Sequence, residues 1–508
     1  MALASTLEPA RPLHFIGIGG VGMSSLAKIF LERGYSISGS DRCRNAYVED
    51  LEATGVKIFN AQEAANIKEL LGTSPLIVRS SAVSNDHPEV QEALMAELTI
   101  WHRSELLQEL MANHQSSVAI AGSHGKTTTS AFIATLLFWA GRDPTVAVGG
   151  RVDSIGSNGC SGSGKILVAE ADESDGTIMK YTPTIGVITN LELEHVDHFA
   201  SEDDLVSTLV KFGCNSGLVL ANKECNKLTP RVVQQLTSAG VRCLSWSLKH
   251  KSSAYYRLIQ DSLQGCSSLN TTTAIWYEGE ENIGEIQVPV VGHHNLSNLA
   301  AAMACCRNLG LSFQQLKDVL LHLKLPGRRF EIRGEYEGRI IIDDYAHHPT
   351  EIRATLSTAR LLINRIDMNL PLVPRRVVAV FQPHKYSRLA AFLKEFVCAL
   401  AEEVDRVIIL PVYDAPTQIP CRGITSQVLA DQLISQYNQA SCPSAQNMSC
   451  SEIDTTNALG ASKVTYSRSL HDLAENMLDY TIPGDLVVVM GAGDTHNLFG
   501  LLPRKLNI

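Results

Sequence analysis

Apolar and polar positions fall in blocks along this chain. Short apolar runs ending in Gly, Asp or Asn are separated by longer stretches with helical periodicity. The runs are Leu13–Ile18, Leu76–Val78, Val118–Ala121, Ile166–Ala169 and Ile185–Thr189. Runs this short and this apolar, joined by helix-patterned segments, predict strands of a parallel α/β sheet. The first run feeds a predicted helix over Ser24–Arg33, ended by Gly34, and a strand over Ser36–Ser40 leads to Asp41, which makes one βαβ unit. After a predicted helix over Arg103–Met111, the polar stretch Asn113–Ser117 interrupts the pattern, so a second α/β domain is expected from about residue 114. Leu325-Pro326-Gly327-Arg328-Arg329 reads as a connector to a third, with strands near Arg339–Ile342, Val377–Phe381, Arg406–Leu410 and Leu486–Met490. Within it, Ser435–Ala461 is rich in Ser, Asn, Gln and Ala with little periodicity and reads as a surface loop or insertion.

Length agrees with this division, since 508 residues at about 150 per domain give roughly three. The composition, 45% hydrophobic and 19% charged, is that of a globular protein and argues against disorder. A net charge of -10 provides no bulk attraction to nucleic acid or to an anionic membrane, so phosphate binding must be local. The 12 Cys are scattered without a C-x-x-C pair and read as buried thiols in a reducing compartment. Met1–Pro12 has Arg11 as its one basic side chain and no apolar core of a signal peptide. No apolar run approaches the roughly 18 residues of a spanning helix, so a cytoplasmic protein without membrane insertion is expected.

Three groups of residues carry candidate chemistry. Gly17-Ile18-Gly19-Gly20-Val21-Gly22 is a G-x-G-x-x-G between a strand and a helix, with Asp41 placed where a dinucleotide fold puts a ribose ligand. Close backbone approach to a pyrophosphate serves a UDP group as well as NAD, and the motif alone does not choose between them. Ala121-Gly122-Ser123-His124-Gly125-Lys126-Thr127-Thr128-Thr129 contains a G-K-T core, where backbone amides cradle phosphates, Lys126 reaches the β/γ-phosphates and the Thr127 hydroxyl ligates Mg²⁺. The usual P-loop spacing would need Gly at 120, which is Ile120 here. Two further strand ends, Glu170 to Asp175 and Asn190 to Asp197, place acids and His195 at the sheet edge where ligands bind, so Glu170 and His195 are candidates for a Mg²⁺ environment. Read without chemistry, the glycine loops are tight turns and the charged clusters solvated loops.

The segments GIGGVGM, GSHGKTTTS, AEADESD, TNLELEH, GHHNLSN, GRRFE, DDYAHHPTE and FQPHKYSR together resemble, in order and spacing, the Mur ligases of peptidoglycan synthesis. The resemblance covers roughly residues 13–495. It implies an α/β protein of three domains over 12–113, 114–326 and 327–503: a Rossmann-like domain for a UDP-sugar, a central P-loop ATPase-like parallel-sheet domain, and a Rossmann-like domain for an amino acid. Carried over residue by residue, it implies that Gly17, Gly19, Gly20, Gly22, Asp41, Ser80, Ser81 and Asn190 hold the UDP-sugar, without nicotinamide. Gly122, Ser123, His124, Gly125, Lys126, Thr127, Thr128, His294, Asn295, Arg329 and Asp344 would bind ATP. Lys126, Glu170 and His195 would be catalytic, with Thr127, Glu170 and His195 as Mg²⁺ ligands. Tyr345, His384, Lys385 and Arg388 would face the amino acid. Two departures bear on that last group: Lys385 stands where the family usually has Arg, losing the bidentate fork, and Asp414-Ala415-Pro416-Thr417 replaces a common Ala-Gly-Glu.

The activity implied is ATP-dependent joining of L-alanine to the lactyl carboxylate of UDP-N-acetylmuramate through an acyl phosphate, by a monomer or homodimer. A relative that attaches recycled tripeptide to the same nucleotide shares several segments. Ser174, where that relative typically has Tyr, favours alanine. An NAD(P) dehydrogenase would leave the P-loop unexplained, and a P-loop switch acting on a partner protein would leave Asp344-Tyr345-Ala346-His347-His348-Pro349 without a role.

Overall fold

The structure, a computed structural model, describes residues 7, 11–194, 198–260, 271–365, 376–414, 423–441, 463–502 and 506. Three sheets follow one another along the chain. The first comprises β1 (Leu13–Ile16), β2 (Ile37–Ser40), β3 (Lys57–Phe59), β4 (Leu76–Arg79) and β5 (Ile100–His102), all parallel, in the order β3-β2-β1-β4-β5. Strand order reverses beside β1, so the loop after β1 opens at the switch point where such sheets bind ligands. All four β1 side chains are buried, as a central parallel strand covered on both faces requires.

The second sheet contains β6 (Ser116–Ala121), β7 (Thr145–Val152), β8 (Ser157–Cys160), β9 (Ile166–Glu170), β10 (Ile185–Ile188), β11 (Leu218–Asn222), β12 (Cys243–Ser247), β13 (Tyr256–Gln260), β14 (Thr272–Glu278) and β15 (Glu281–Val288). Its order is β15-β14-β13-β12-β11-β10-β6-β9-β7-β8. β6 lies between β9 and β10, parallel to both, so the second glycine loop emerges between the two strand ends that carry the acidic segments. The sheet is parallel through its middle, as expected, and antiparallel at both edges, where β7 pairs β8 and β13, β14 and β15 pair one another. Tight hairpins close those edges; Gly279 between β14 and β15 has φ +60°, which an L side chain rarely adopts.

The third sheet runs β16-β17-β21-β18-β19-β20, from β16 (Glu331–Tyr336), β17 (Arg339–Asp344), β18 (Arg376–Phe381), β19 (Arg406–Ile409), β20 (Val464–Tyr466) and β21 (Asp485–Met490). Among the described strands of this sheet, only β16 is antiparallel to its neighbour. Residues 435–441, expected in a surface loop, instead complete the helix Ser426–Ser441; the rest of that expected insertion, 442–461, lies outside the described residues. The thiols are also less buried than expected. Cys305 and Cys306 are fully covered in the helix His293–Asn308, but Cys43, Cys214 and Cys398 are exposed.

The chain forms two compact units. One runs to Pro326 and holds the first two sheets; the other holds the third sheet and the short stretch Val291–His294. The first two sheets share a unit because the helix Val21–Glu32 docks on the β7–β8 hairpin. Asn158 donates to the Val21 carbonyl at 2.8 Å, Lys28 to Ser157 Oγ at 2.9 Å and Arg33 to Ser161 Oγ at 3.1 Å. A Cβ on Gly159 would lie 2.5 Å from the Ser25 carbonyl, so glycine there permits the close approach.

Candidate active site

The first glycine loop is held by the end of β2. Gly17, at φ +81°, and Ile18 both donate their backbone N–H to the Ser40 carbonyl, at 2.8 and 3.1 Å. Gly19 donates to Asp41 Oδ2 at 2.8 Å, and a Cβ at position 19 would sit on that oxygen. Asp41 Oδ1 accepts from Cys43 N–H at 2.9 Å. The Asp41 carboxylate thus braces the loop. Gly20 caps the helix Val21–Glu32, which begins three residues before the predicted Ser24 and has no side-chain cap. Its first-turn amides point out of the loop, the arrangement that accepts a diphosphate. Ser80 lies beside Gly17, and the Ser81 hydroxyl donates to Asp175 of the central sheet.

The second glycine loop turns β6 directly into the helix Lys126–Trp139. Gly125, at φ +81°, makes the turn, and its Cα faces the Asn298 amide. Gly122, at φ +114°, packs against Thr189 and Asn190, where a side chain would collide. Asn190 accepts from His124 N–H and donates to the His124 carbonyl, both at 2.9 Å, so its amide clamps this loop. His124 Nε2 lies 2.9 Å from Glu192 Oε2, and Ser123 donates to the Glu192 carbonyl. Thr127 and Thr128 are buried in the first helical turn.

Lys126 donates to the Gly122 carbonyl at 2.7 Å, the Ser123 carbonyl at 3.1 Å and Glu173 Oε1 at 2.9 Å. Burial disfavours its charge, but the carboxylates of Glu173, Asp172, Glu194 and Glu170 outweigh that and keep the ammonium protonated. Burial pushes Glu173, 1% exposed, up to about 7 against the pull of Lys126. Glu173 and Asp172 belong to the acidic segment after β9, but the sequence gives no sign that Glu173 in particular meets Lys126.

Glu170 ends β9 and accepts from Gly149 N–H at 2.9 Å. Gly149 and Gly150 are consecutive in β7, and a Cβ on the first would lie 2.6 Å from Glu170 Oε2, on the second 3.0 Å from Thr127 Cγ2. Glu170 and Thr127 thus flank one glycine pair and offer a carboxylate and a hydroxyl, the hard oxygen donors that suit Mg²⁺. His195 lies outside the described residues. A cleft runs from the first loop to the ends of β7 and β9: Gly22, Arg103, Gly149, Glu170, Asp172 and Tyr181 all line it. Arg103, absent from the predicted set, pairs with Asp175 at 3.1 Å and Asp172 at 3.5 Å, and its guanidinium lies beside Gly22.

The second unit gathers its own polar group. Arg328 and Arg329 lie over the Tyr345 ring at 5.2 and 5.0 Å. Asp344 is buried, and its carboxylate accepts from Phe330 N–H at 2.7 Å and Ala346 N–H at 2.8 Å, fixing the connector to the end of β17. Burial raises its carboxyl, against the pull of Arg329. His294 is driven down to about 4 by burial and by His293 and Arg329 nearby. Asn295, the next residue, is buried in the first unit. His384 stacks on Tyr413 at 5.8 Å and lies 3.4 Å from Arg388 Nη1; burial, His347, Arg388 and Lys385 push it down to about 4, so it is neutral at pH 7. Arg388 is only 6% exposed, not the surface cation its helix-start position would suggest, and Lys385 takes a left-handed backbone at φ +69°.

A three-domain α/β chain with a diphosphate-type loop, a P-loop and a cleft that joins the first loop to the acid ending β9 is the architecture of a nucleotide-dependent ligase. Residues 12–115 match "Mur ligase family, catalytic domain", 120–306 "Mur ligase middle domain" and 328–493 "Mur ligase, glutamate ligase domain". The chain belongs to the Mur ligase family. It is 44% identical over 500 residues to the UDP-N-acetylmuramate–L-alanine ligase of Synechococcus sp. (strain CC9605), covering 98% of this chain and 99% of that one. To the ligase of the same name from Prochlorococcus marinus (strain MIT 9303) it is 43% identical over 508 residues, covering 99% and 96%. The crystal structure of the UDP-N-acetylmuramate-alanine ligase of Thermotoga maritima superposes with a TM-score of 0.74 at 25% identity, covering 96% of this chain and 97% of the other. No helix among the described residues is long and apolar enough to cross a membrane.

Proposed function

We propose that this enzyme joins L-alanine to the lactyl carboxylate of UDP-N-acetylmuramate with cleavage of ATP to ADP and phosphate. The observation that carries the reading is the shared cleft, in which Gly22 of the diphosphate-type loop and Glu170 of the P-loop side line one space. A nucleotide sugar held at the first loop would extend its muramyl carboxylate toward the triphosphate held at the second. Domain limits of 12–113, 114–326 and 327–503 suit this division of labour. The full-length alanine ligases at 43–44% identity favour alanine over a recycled tripeptide.

In this reading the amides of the Gly17–Gly22 loop hold the UDP diphosphate, while the backbone of Gly122–Thr128 and the Lys126 ammonium hold the ATP phosphates. A lactyl carboxylate oxygen attacks the γ-phosphorus, the bond to the β-phosphate oxygen breaks and ADP leaves. Lys126 neutralises charge on the moving phosphoryl group, after exchanging its Glu173 contact for phosphate oxygens. Thr127 and Glu170, with His195, would hold Mg²⁺, whose charge offsets that of the triphosphate. The neutral amine of alanine then attacks the acyl carbon, and the tetrahedral intermediate collapses with loss of phosphate, which carries away the proton the nitrogen gives up. Arg388 and Lys385 would grip the alanine carboxylate, with Tyr345 and His384 beside it, and Arg329, Asp344, His294 and Asn295 would contribute to ATP.

Phosphate release tests this. It should require ATP, UDP-N-acetylmuramate and L-alanine together, and Lys126→Ala should lower the rate by about a thousandfold or more while UDP-N-acetylmuramate still binds. Phosphate release that persists without the nucleotide sugar, or near-normal turnover by folded Lys126→Ala, would overturn the reading.

A further inference from the structure

Beneath the first sheet lies a buried ionic network unconnected with the P-loop. Glu89, in the helix Pro88–Met95, and His14, in β1, are both 0% exposed. Glu89 Oε2 accepts from the Ser40 hydroxyl at 2.6 Å, and Oε1 accepts from the Asn66 amide at 2.9 Å. Oε1 also lies 3.4 Å from His14 Nε2, whose other ring nitrogen is 2.9 Å from Ser38 Oγ. His87 is the further ionisable neighbour, 4.0 Å from Oε2. Burial alone would raise the Glu89 carboxyl, but the bonds from His14, Ser40 and Asn66 overcome it and hold the group below its ordinary range, so it is a buried carboxylate.

A charge kept in an apolar sheet layer is costly, and well-packed apolar residues of similar volume often stabilise as well or better. What Glu89 touches indicates its use. Ser40 is the last residue of β2, and its carbonyl is the acceptor that holds Gly17 and Ile18 of the glycine loop. The next residue, Asp41, holds Gly19. The N–H groups of three consecutive loop residues therefore depend on where Ser40 and Asp41 stand, and Glu89 fixes the Ser40 side chain from below. Asn66 and His14 orient the carboxylate from two other elements, the helix Ala64–Leu70 and β1.

We propose that Glu89 is a positioning residue for the nucleotide-sugar site, acting through Ser40 to set the aim of the Gly17–Gly22 loop. The proposal rests on the reading that this loop holds the UDP diphosphate. Sequence reading passes over Glu89, because a glutamate in the first turn of a short helix is ordinarily a solvated helix-dipole partner.

The test compares wild type with Glu89→Gln and Ser40→Ala. Binding of UDP-N-acetylmuramate is read by calorimetry, the three KM values and kcat by phosphate release, and folding by thermal unfolding. Both variants should weaken UDP-N-acetylmuramate binding and raise its KM by about tenfold, while the KM values for ATP and L-alanine stay within about twofold, because loss of a buried charge-assisted hydrogen bond acts at this loop alone. Ser40→Ala removes one hydroxyl, leaves the contacts of Glu89 with His14 and Asn66, and decides the matter if Glu89→Gln does not fold. A lowered melting temperature with all three KM values unchanged, or an equal rise in all three, would assign Glu89 to folding alone and overturn the proposal. If wild type itself binds no UDP-N-acetylmuramate, the reading of the loop falls, and this proposal with it.

Discussion

Arg388 shows how far burial changes the meaning of a side chain. An arginine at a helix start is ordinarily a solvated cation, but here it is 6% exposed and lies against a neutral His384. Its planar fork matches the geometry of a carboxylate. Lys385, with a point charge and a left-handed backbone, would be the weaker grip under the proposed function. Arg388→Ala should raise the KM for L-alanine by at least about tenfold with the KM for ATP nearly unchanged, and Lys385→Ala should do so less, as steady-state kinetics will show. Equal effects on every substrate would mean that the segment does not hold the amino acid. At this scale, residue type and motif pointed to Lys126, Glu170 and Arg388. They did not reveal that Asp41 and Asn190 serve the loops, nor that Glu173 meets Lys126. Those contacts join residues 22, 66 and 47 positions apart, and no local pattern encodes which of several polar atoms a folded loop will face.

At the scale of elements, β6 between β9 and β10 is the arrangement on which the site depends, and it follows from ordinary βαβ rules. The central runs were legible as strands because each is almost wholly apolar. Helix starts were less legible: Val21, Gly22 and the Thr127–Thr129 run belong to helices, but glycine and β-branched threonine there break the apolar period. The antiparallel edges β13 to β15 were missed because half-polar strands such as Glu281–Val288 carry no continuous apolar run. β7 has a more specific part, since Gly149 leaves room for Glu170. Gly149→Ala would place a methyl 2.6 Å from Glu170 Oε2 and push the carboxylate away. The variant should remain folded and need several-fold more Mg²⁺ for half-maximal phosphate release, roughly the range seen when partners that orient a metal ligand are lost. An unchanged Mg²⁺ dependence would show that Glu170 does not serve a metal.

At the scale of the whole molecule, three sheets offer three strand edges, one for each substrate of the proposed reaction. The three-domain plan was legible because glycine loops and connector each announce a new start; that the first two sheets share one compact unit was not, because the docking of Val21–Glu32 on β7–β8 rests on small residues and amides such as Gly159 and Asn158. The central claim concerns which amine is joined to the muramyl carboxylate. The most direct measurement is the mass of the nucleotide product formed from UDP-N-acetylmuramate and ATP, with L-alanine, glycine, L-serine and the recycled tripeptide L-alanyl-γ-D-glutamyl-meso-diaminopimelate present in equal amounts. The account predicts UDP-N-acetylmuramate carrying one alanyl residue as the main product, formed in step with ADP. A product carrying the tripeptide, or ADP formed with no mass added to the nucleotide sugar, would contradict it.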